Sequence, residues 1–439
     1  MAVKKQTATS QTEVTSGESA TKKKAPAAFS FRTATSSPAA SKPSPDLTSL
    51  PASCFTSRLL RWHQHENHRA MPWKGEKDPY KIWLSEIILQ QTRVEQGLAY
   101  YEKFIRHYPD IAALASSPED QVFKDWEGLG YYSRCKNLLI TARTIIKDYK
   151  GKFPDQYDQI LSLKGIGPYT AAAISAFAFN QPYAVLDGNV FRVLSRVYGI
   201  DTPTDSTKGK QLFQKLAQEN LSKPHPALYN QAIMDFGATV CKPAAPLCGH
   251  CPMGDICQAK QTGRVMSLPV KEKMLQKKNR YISWIILALK PQVKGQKNEV
   301  NNNNYKEKSH SPSKNPAPCT RYYIQKRPAG DIWENLHEFY PIETQAIPDW
   351  SRDLTQLAPL LENLLDLPNK VSPGDLTAIA SHTQQLTHQK IHGYFYQMTL
   401  QQRPAVFPLD HWYSMEDIQA LAFPKLLKDI QFEAIEKQK

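Results

Sequence analysis

The sequence predicts a multidomain protein, an all-α region of many short helices followed by an α+β region. Three observations predict it. Apolar residues recur at spacings of three and four from Leu59 to about Glu219. Four of the seven cysteines then crowd between Cys241 and Cys257. From Tyr281 the apolar pattern turns to alternation, the period of a strand.

The elements follow in order. Residues 1–50 are rich in Ser, Thr, Ala, Lys and Pro without periodicity, and form an expected disordered basic tail. Residues 51–257 make the helical domain. Its stretches "DPYKIWLSEIILQQT", "KNLLITARTIIKDY", "YTAAAISAFAF" and "NVFRVLSRVYGI" carry the helical spacing, punctuated by Gly and Pro at "GKFPDQY" and "KGIGPY". Positions 258–280 hold seven Lys or Arg against one Glu, an expected exposed basic linker. Strands are expected at "YISWIILALK", "TRYYIQKRP" and "KIHGYFYQMTL", and a helix at "DLTQLAPLLENLLDL", in a second domain over 281–430. A polar run at about 293–318 is expected to be a disordered insertion.

At 439 residues the chain has room for two or three cores. Its formal net charge of +14 favours a polyanionic partner. No run of 18 apolar residues occurs and no apolar stretch follows the N-terminal lysines, so no membrane partner is expected. A cytoplasmic monomer is expected, nucleoid-associated in a bacterium. In that compartment clustered cysteines hold metal more often than disulfides.

The cysteines Cys241, Cys248, Cys251 and Cys257 are spaced C-x6-C-x2-C-x5-C. Four thiolates suit a [4Fe-4S] cluster, or a zinc ion for which His250 could replace one thiol. The second motif is "LKGIGPYTAAAI": Gly165 and Gly167 make a tight turn, and Pro168 opens a helix. Such a turn lets backbone N–H groups approach a phosphate. Two carboxylates complete the set. Asp187 in "VLDGNVFRVL" precedes a helix, as an N-cap would. Glu86 shares a helical stripe with Ile82 and Leu89, so it lies either at a wet edge or buried with a raised pKa. A raised glutamate and a depressed aspartate would divide acid and anion roles between them.

The cysteine loop and the hairpin resemble those of the endonuclease III superfamily of helix-hairpin-helix DNA glycosylases. From Leu59 to Cys257 several motifs together resemble the adenine DNA glycosylases of the MutY type. The resemblance implies a [4Fe-4S] cluster on the four cysteines. It implies that Glu86, in "SEIILQQT", protonates adenine, and that Asp187 stabilises the sugar cation. Asn189 and Tyr169 match further active-site positions. Gln91, Thr92, Leu129 and Tyr131 match residues that enter the DNA, with Tyr131 in "GLGYYSR" as the wedge. Residues 281–430 resemble the family's Nudix-like domain, which reads 8-oxoguanine opposite the adenine. They lack the Glu-rich Nudix hydrolase box. The family's Phe-Ser-His loop corresponds to Leu386, Thr387 and His388, a departure at its first position.

The resemblance therefore implies a monofunctional glycosylase of base excision repair, hydrolysing the N-glycosidic bond of adenine. Its partner would be double-stranded DNA containing A:8-oxoguanine or A:G mispairs. Bifunctional relatives that act on damaged pyrimidines carry a Schiff-base lysine directly after the hairpin. This chain has Tyr169 there, with Lys164 on the other side of the turn. A glycosylase/AP lyase and a non-catalytic DNA-binding protein are the two alternatives. The pair Glu86 and Asp187 argues against the second.

Overall fold

Among the described residues, twelve helices occupy the first part of the chain. The computed structural model describes residues 52–71, 73–272, 276–291, 319–367, 371 and 373–431. The expected tail and the expected insertion lie outside these residues. The described helices are α1 (Ala52–His65), α2 (Pro79–Leu89), α3 (Val94–His107), α4 (Ile111–Ser116), α5 (Glu119–Trp126) and α6 (Tyr132–Asp148). They continue as α7 (Tyr157–Ser162), α8 (Pro168–Phe179), α9 (Gly188–Tyr198), α10 (Thr207–Asn220), α11 (Pro226–Thr239) and α12 (Gln258–Gln261).

These helices build two apolar cores. The first gathers α2 to α8 around Trp83, Phe104, Trp126 and Leu138. The second gathers α1 and α8 to α11 around Phe55, Val193, Phe213 and Phe236. Helix α8 stands between them. Its Ala171 and Ile174 pack into the first core, and Ala172 and Ala173 into the second. A helix buried on all sides needs small residues, which explains the run "YTAAAISA". Proline at its first turn and Asn180 in the left-handed region at its end fix its length.

Most described residues of the expected basic linker are exposed, but a few anchors tie it to the helical region. Ala259 and Leu268 are buried, Thr204 N donates to Val270 O at 3.0 Å, and Glu272 N donates to Asp205 Oδ1 at 2.9 Å. Its described lysines are exposed between these anchors.

The second part holds β1 (Lys278–Leu289), β2 (Arg321–Tyr323), β3 (Gln325–Lys326), β4 (His337–Glu338), β5 (Tyr340–Thr344), β6 (Leu376–Gln385), β7 (Gln389–Leu400) and β8 (Trp412–Tyr413). Its helices are α13 (Leu357–Leu365), α14 (Met415–Ala420) and α15 (Lys425–Gln431). The main sheet runs β6-β7-β1-β2-β8, with β5 also paired to β1. Strand β1 is parallel to β7, from Lys278 opposite Gln389 to Leu289 opposite Leu400, and antiparallel to β2 and β5. A central strand is covered on both faces. Ile282, Trp284 and Ile286 face the layer of α14 and α15, while Ile285 and Leu287 face α13.

All described residues fall in one unit, Leu47–Lys439. Leu336 and Ala422 join the first helical core. Lys428 Nζ pairs with Glu127 Oε2 at 2.6 Å, Lys326 Nζ with Asp120 Oδ1 at 2.6 Å, and Asn335 Nδ2 donates to Glu119 Oε1 at 3.0 Å.

Candidate active site

A cavity of about 1060 Å³ opens where the two helical cores meet, and it brings the two carboxylates together. Glu86 reaches it from the last turns of α2. Asp78 starts that helix, its Oδ1 accepting from Tyr80 N at 2.9 Å, with Pro79 at the first position. Ile82, Trp83, Leu84, Ser85, Ile87 and Ile88 around Glu86 are all buried. Glu86 keeps part of its surface open to the cavity, yet burial drives its pKa from 4.5 up to about 7. The Tyr169 hydroxyl lowers it somewhat, and the charge on Asp187 raises it. Glu86 is thus half-buried, between the two positions its stripe allowed.

Asp187 caps α9. Its Oδ1 accepts from Val190 N and its Oδ2 from Asn189 Nδ2, both at 2.8 Å. One departure from the sequence reading stands out. The Asp187 pKa is raised rather than depressed, because burial outweighs these donors and the positive Arg192. The donors still favour its anion, and no comparable set bonds Glu86.

Asn189 and Tyr169 complete the wall. Asn189 Oδ1 accepts from Arg192 Nη2 at 2.8 Å, and the same nitrogen donates to Gly237 O at 2.8 Å. The Tyr169 hydroxyl donates to Met234 Sδ at 3.4 Å, a weak acceptor that it can exchange for a better one. Gly165, Gly167 and Pro168 edge the same cavity. Gly165 sits at φ +78, and a Cβ there would lie 2.6 Å from Asn137 Cβ, so the turn requires glycine. Gly167 has ordinary φ and open space.

Gln91 and Thr92 line the cavity mouth, Gln91 exposed with φ 56. Tyr131 is 43% exposed, in the left-handed region at φ 49. Its hydroxyl pairs with Thr387 Oγ1 at 2.5 Å, joining the helical region to the β6–β7 turn. His388 is exposed on that turn and Leu386 is half-buried. Leu129 lies deeper. Expected to enter DNA, it is 5% exposed and packs in the first core beneath the Tyr131 turn. An apolar side chain beside a core finds it more favourable than water.

The geometry adds residues that the sequence did not single out. Asp235 is fully buried and accepts from Asn67 Nδ2 at 2.8 Å, Arg69 Nη1 at 2.9 Å and Lys74 Nζ at 3.3 Å. Arg69, Lys74, Trp73 and Gln231 line the cavity beside it. A lone acid within the apolar stretch "QAIMDFG" was the available signal.

The four cysteines are free thiols, each half-buried. Cys241, Cys251 and Cys257 have raised pKa values, from burial first and from one another and Cys248 in part. They are thus near neighbours, although no three metal-ligating side chains among the described residues converge as a single-ion site. Helix α9 clamps the loop. Arg192 Nε donates to Cys241 O at 2.8 Å, and Arg196 donates to Lys242 O at 2.8 Å and to Cys241 Sγ at 3.5 Å.

Residues 84–219 match the HhH-GPD superfamily of base excision DNA repair proteins. An adenine DNA glycosylase of Buchnera aphidicola from Baizongia pistaciae is 37% identical over 235 residues, 53% of this chain and 66% of its own length. That of Buchnera aphidicola from Schizaphis graminum is 32% identical over 294 residues, 66% of this chain and 76% of its own. A solved structure of a thermostable thymine-DNA glycosylase aligns at 29% identity and a TM-score of 0.45, over 49% of this chain and all of the other. The Schizaphis relative, matched over more than two thirds of its length, and the superfamily match show that the chain belongs to the adenine DNA glycosylases, a family of enzymes within the HhH-GPD base excision repair superfamily.

Proposed function

We propose that the protein is a monofunctional glycosylase that hydrolyses the N-glycosidic bond of adenine mispaired with 8-oxoguanine or guanine in double-stranded DNA. The observation that carries the reading is Glu86, held near pKa 7 across one cavity from a hydrogen-bonded Asp187. At neutral pH Glu86 keeps a proton for part of the time and can donate it to a leaving base. The flipped adenine enters the cavity at the cost of unstacking. As the C–N bond breaks, its electron pair leaves with the protonated base. Asp187 stabilises the positive sugar. Glu86, now ionised, takes a proton from the water that adds to the sugar carbon.

Strand cleavage through a Schiff base is not expected. Tyr169 holds the position a lysine would need, and Lys74 in the cavity is paired with Asp235. The sheet region acts as a Nudix-like reader of the opposite base. Its support is the covered central strand and the Thr387 contact to Tyr131, which brings the β6–β7 turn beside the expected wedge. The cysteine loop holds a [4Fe-4S] cluster on Cys241, Cys248, Cys251 and Cys257. The support is the chemistry of the donor set, four thiols on one loop beside Arg192 and Arg196, which suits all-cysteine ligation. The cluster supplies a structural clasp there.

The test is single-turnover excision on duplexes with adenine opposite 8-oxoguanine, guanine or thymine, developed with and without alkali. Product only after alkali, and fastest opposite 8-oxoguanine, is expected. Strand breaks without alkali would favour a lyase, and tight binding without excision would leave a binding protein.

A further inference from the structure

The turn between α5 and α6, "EGLGYY", leaves ordinary backbone space at Gly128, Gly130 and Tyr131, with φ of 93, 76 and 49. A tyrosine is disfavoured there, so its surroundings must hold the turn in shape. The helical region holds one side. The Tyr100 hydroxyl donates to Glu127 O at 2.7 Å, Trp126 Nε1 donates to Gly130 O at 3.0 Å, and Gly128 N donates to the Tyr132 hydroxyl at 3.0 Å.

The sheet region holds the first residue of the turn from the other side. The Glu127 side chain is 6% exposed. Its Oε1 accepts from Phe423 N at 3.0 Å, and its Oε2 pairs with Lys428 Nζ at 2.6 Å. Lys124 Nζ lies 3.3 Å from the same Oε2 and donates to Leu421 O at 2.8 Å. Phe423 is buried in the core of the sheet region, while Ala422 joins the first helical core and its carbonyl accepts from His337 N at 2.8 Å. The segment between α14 and α15 is therefore seated on Glu127.

The ion pair of Lys326 with Asp120, across the same boundary, is of another kind. Its side chains are 47% and 52% exposed, and such a pair contributes little. A nearly buried carboxylate is costly to strip of its partners. Moving the sheet region away would take Lys428 and the Phe423 amide from Glu127 and leave it Lys124.

We propose that Glu127 is a positioning residue that fastens the base of the Tyr131 turn to the sheet region and so holds Tyr131 in shape to enter DNA. The inference rests on the proposed function, with Tyr131 as the wedge. Thr387 meets the tip of this turn at an exposed edge, whereas Glu127 grips its base out of water. Held at both ends, the wedge keeps its shape only while the region that reads the opposite base is seated.

The test uses the full chain and a duplex with 2-aminopurine, an adenine analogue that brightens on unstacking, opposite 8-oxoguanine. In Glu127→Ala the unstacked fraction should fall by roughly 10-fold, the scale of one hydrogen bond to a charged group. Lys428→Met, at an exposed position, should lower it in the same direction and serves where Glu127→Ala fails to fold. Glu127→Gln keeps an acceptor for Phe423 N and should lie between Glu127→Ala and the wild type. Adenine excision should fall in step with the fluorescence, while its alkaline limb stays near pH 7. Lys326→Ala should change neither. Unchanged fluorescence in Glu127→Ala and Lys428→Met would overturn the proposal. So would an equal loss in Lys326→Ala, which would make docking alone responsible, or a displaced limb, which would place the effect at the acid. A wild type that unstacks the probe but removes no adenine would sink the glycosylase reading, and the fluorescence would still decide the role of Glu127.

Discussion

Replacing Glu86 by glutamine tests the central claim through stability as well as rate. The Glu86 carboxyl moves from 4.5 to about 7 on folding, chiefly through burial. Below pH 4.5 it is protonated in both states and folding is unpenalised. As pH rises, the unfolded chain releases its proton first. The native state is thus increasingly disfavoured until about pH 7, and by a constant amount above it. One pKa unit corresponds to about 1.36 kcal/mol, so the full displacement is worth about 3 kcal/mol. Because the carboxyl is partly open to the cavity, we expect about 1–3 kcal/mol.

Glutamine has the same shape and no such penalty. The difference in urea stability, variant minus wild type, should grow by that amount from pH 5 to pH 8. In parallel, single-turnover excision by the wild type should fall above pH 7 as the acid form disappears, and the variant should show no excision at any pH. A stability difference that is flat with pH, or a wild type that gains on the variant as pH rises, would refute the burial of Glu86. Excision surviving in the variant would refute its role as the acid.

Other changes separate the remaining parts of the site. Asp187→Asn keeps an N-cap for α9, so the fold should hold while excision drops by roughly 10²–10³-fold. Removing that charge should also move the Glu86 limb to lower pH in any residual activity. Gly165→Ala places a Cβ 2.6 Å from Asn137 Cβ at φ +78 and should cost about 1–3 kcal/mol, measured by urea unfolding. Gly167→Ala, with ordinary φ and nothing within 4 Å, should cost far less. Thr387→Val removes the partner of the Tyr131 hydroxyl and should narrow the rate difference between adenine opposite 8-oxoguanine and opposite guanine.

Local patterns were the most legible. The helix over α9 and its cap at Asp187 follow from one apolar face preceded by an acid, a relation contained within ten residues. The strands β1 and β7 follow from β-branched and aromatic runs. Strand β6, "LTAIASHTQQ", was missed because its residues are mostly small, polar and exposed, and only its antiparallel pairing with β7 makes it a strand. Leu129, in a glycine turn and buried in the first core, shows a related limit. Sequence shows that an apolar residue sits in a glycine turn, but not which side of the turn meets the core.

What no local pattern carries is the meeting of distant charges. Glu86 and Asp187 lie about a hundred residues apart, and whether burial acts on both depends on how α8 brings two cores together. Small residues in α8 let the helices close around the cavity, and that closeness removes water from both carboxylates. Burial pushes both pKa values up, so it cannot by itself assign their roles. The assignment comes from donors. Asp187 sits at a helix start with Val190 N and Asn189 Nδ2 on its oxygens, which hold its anion. Glu86 sits mid-stripe in α2, where backbone donors are already spent within the helix. In the proposed reaction the same desolvation therefore suits Asp187 to the anion's role and Glu86 to the acid's, and the difference is set by where each stands along its own helix.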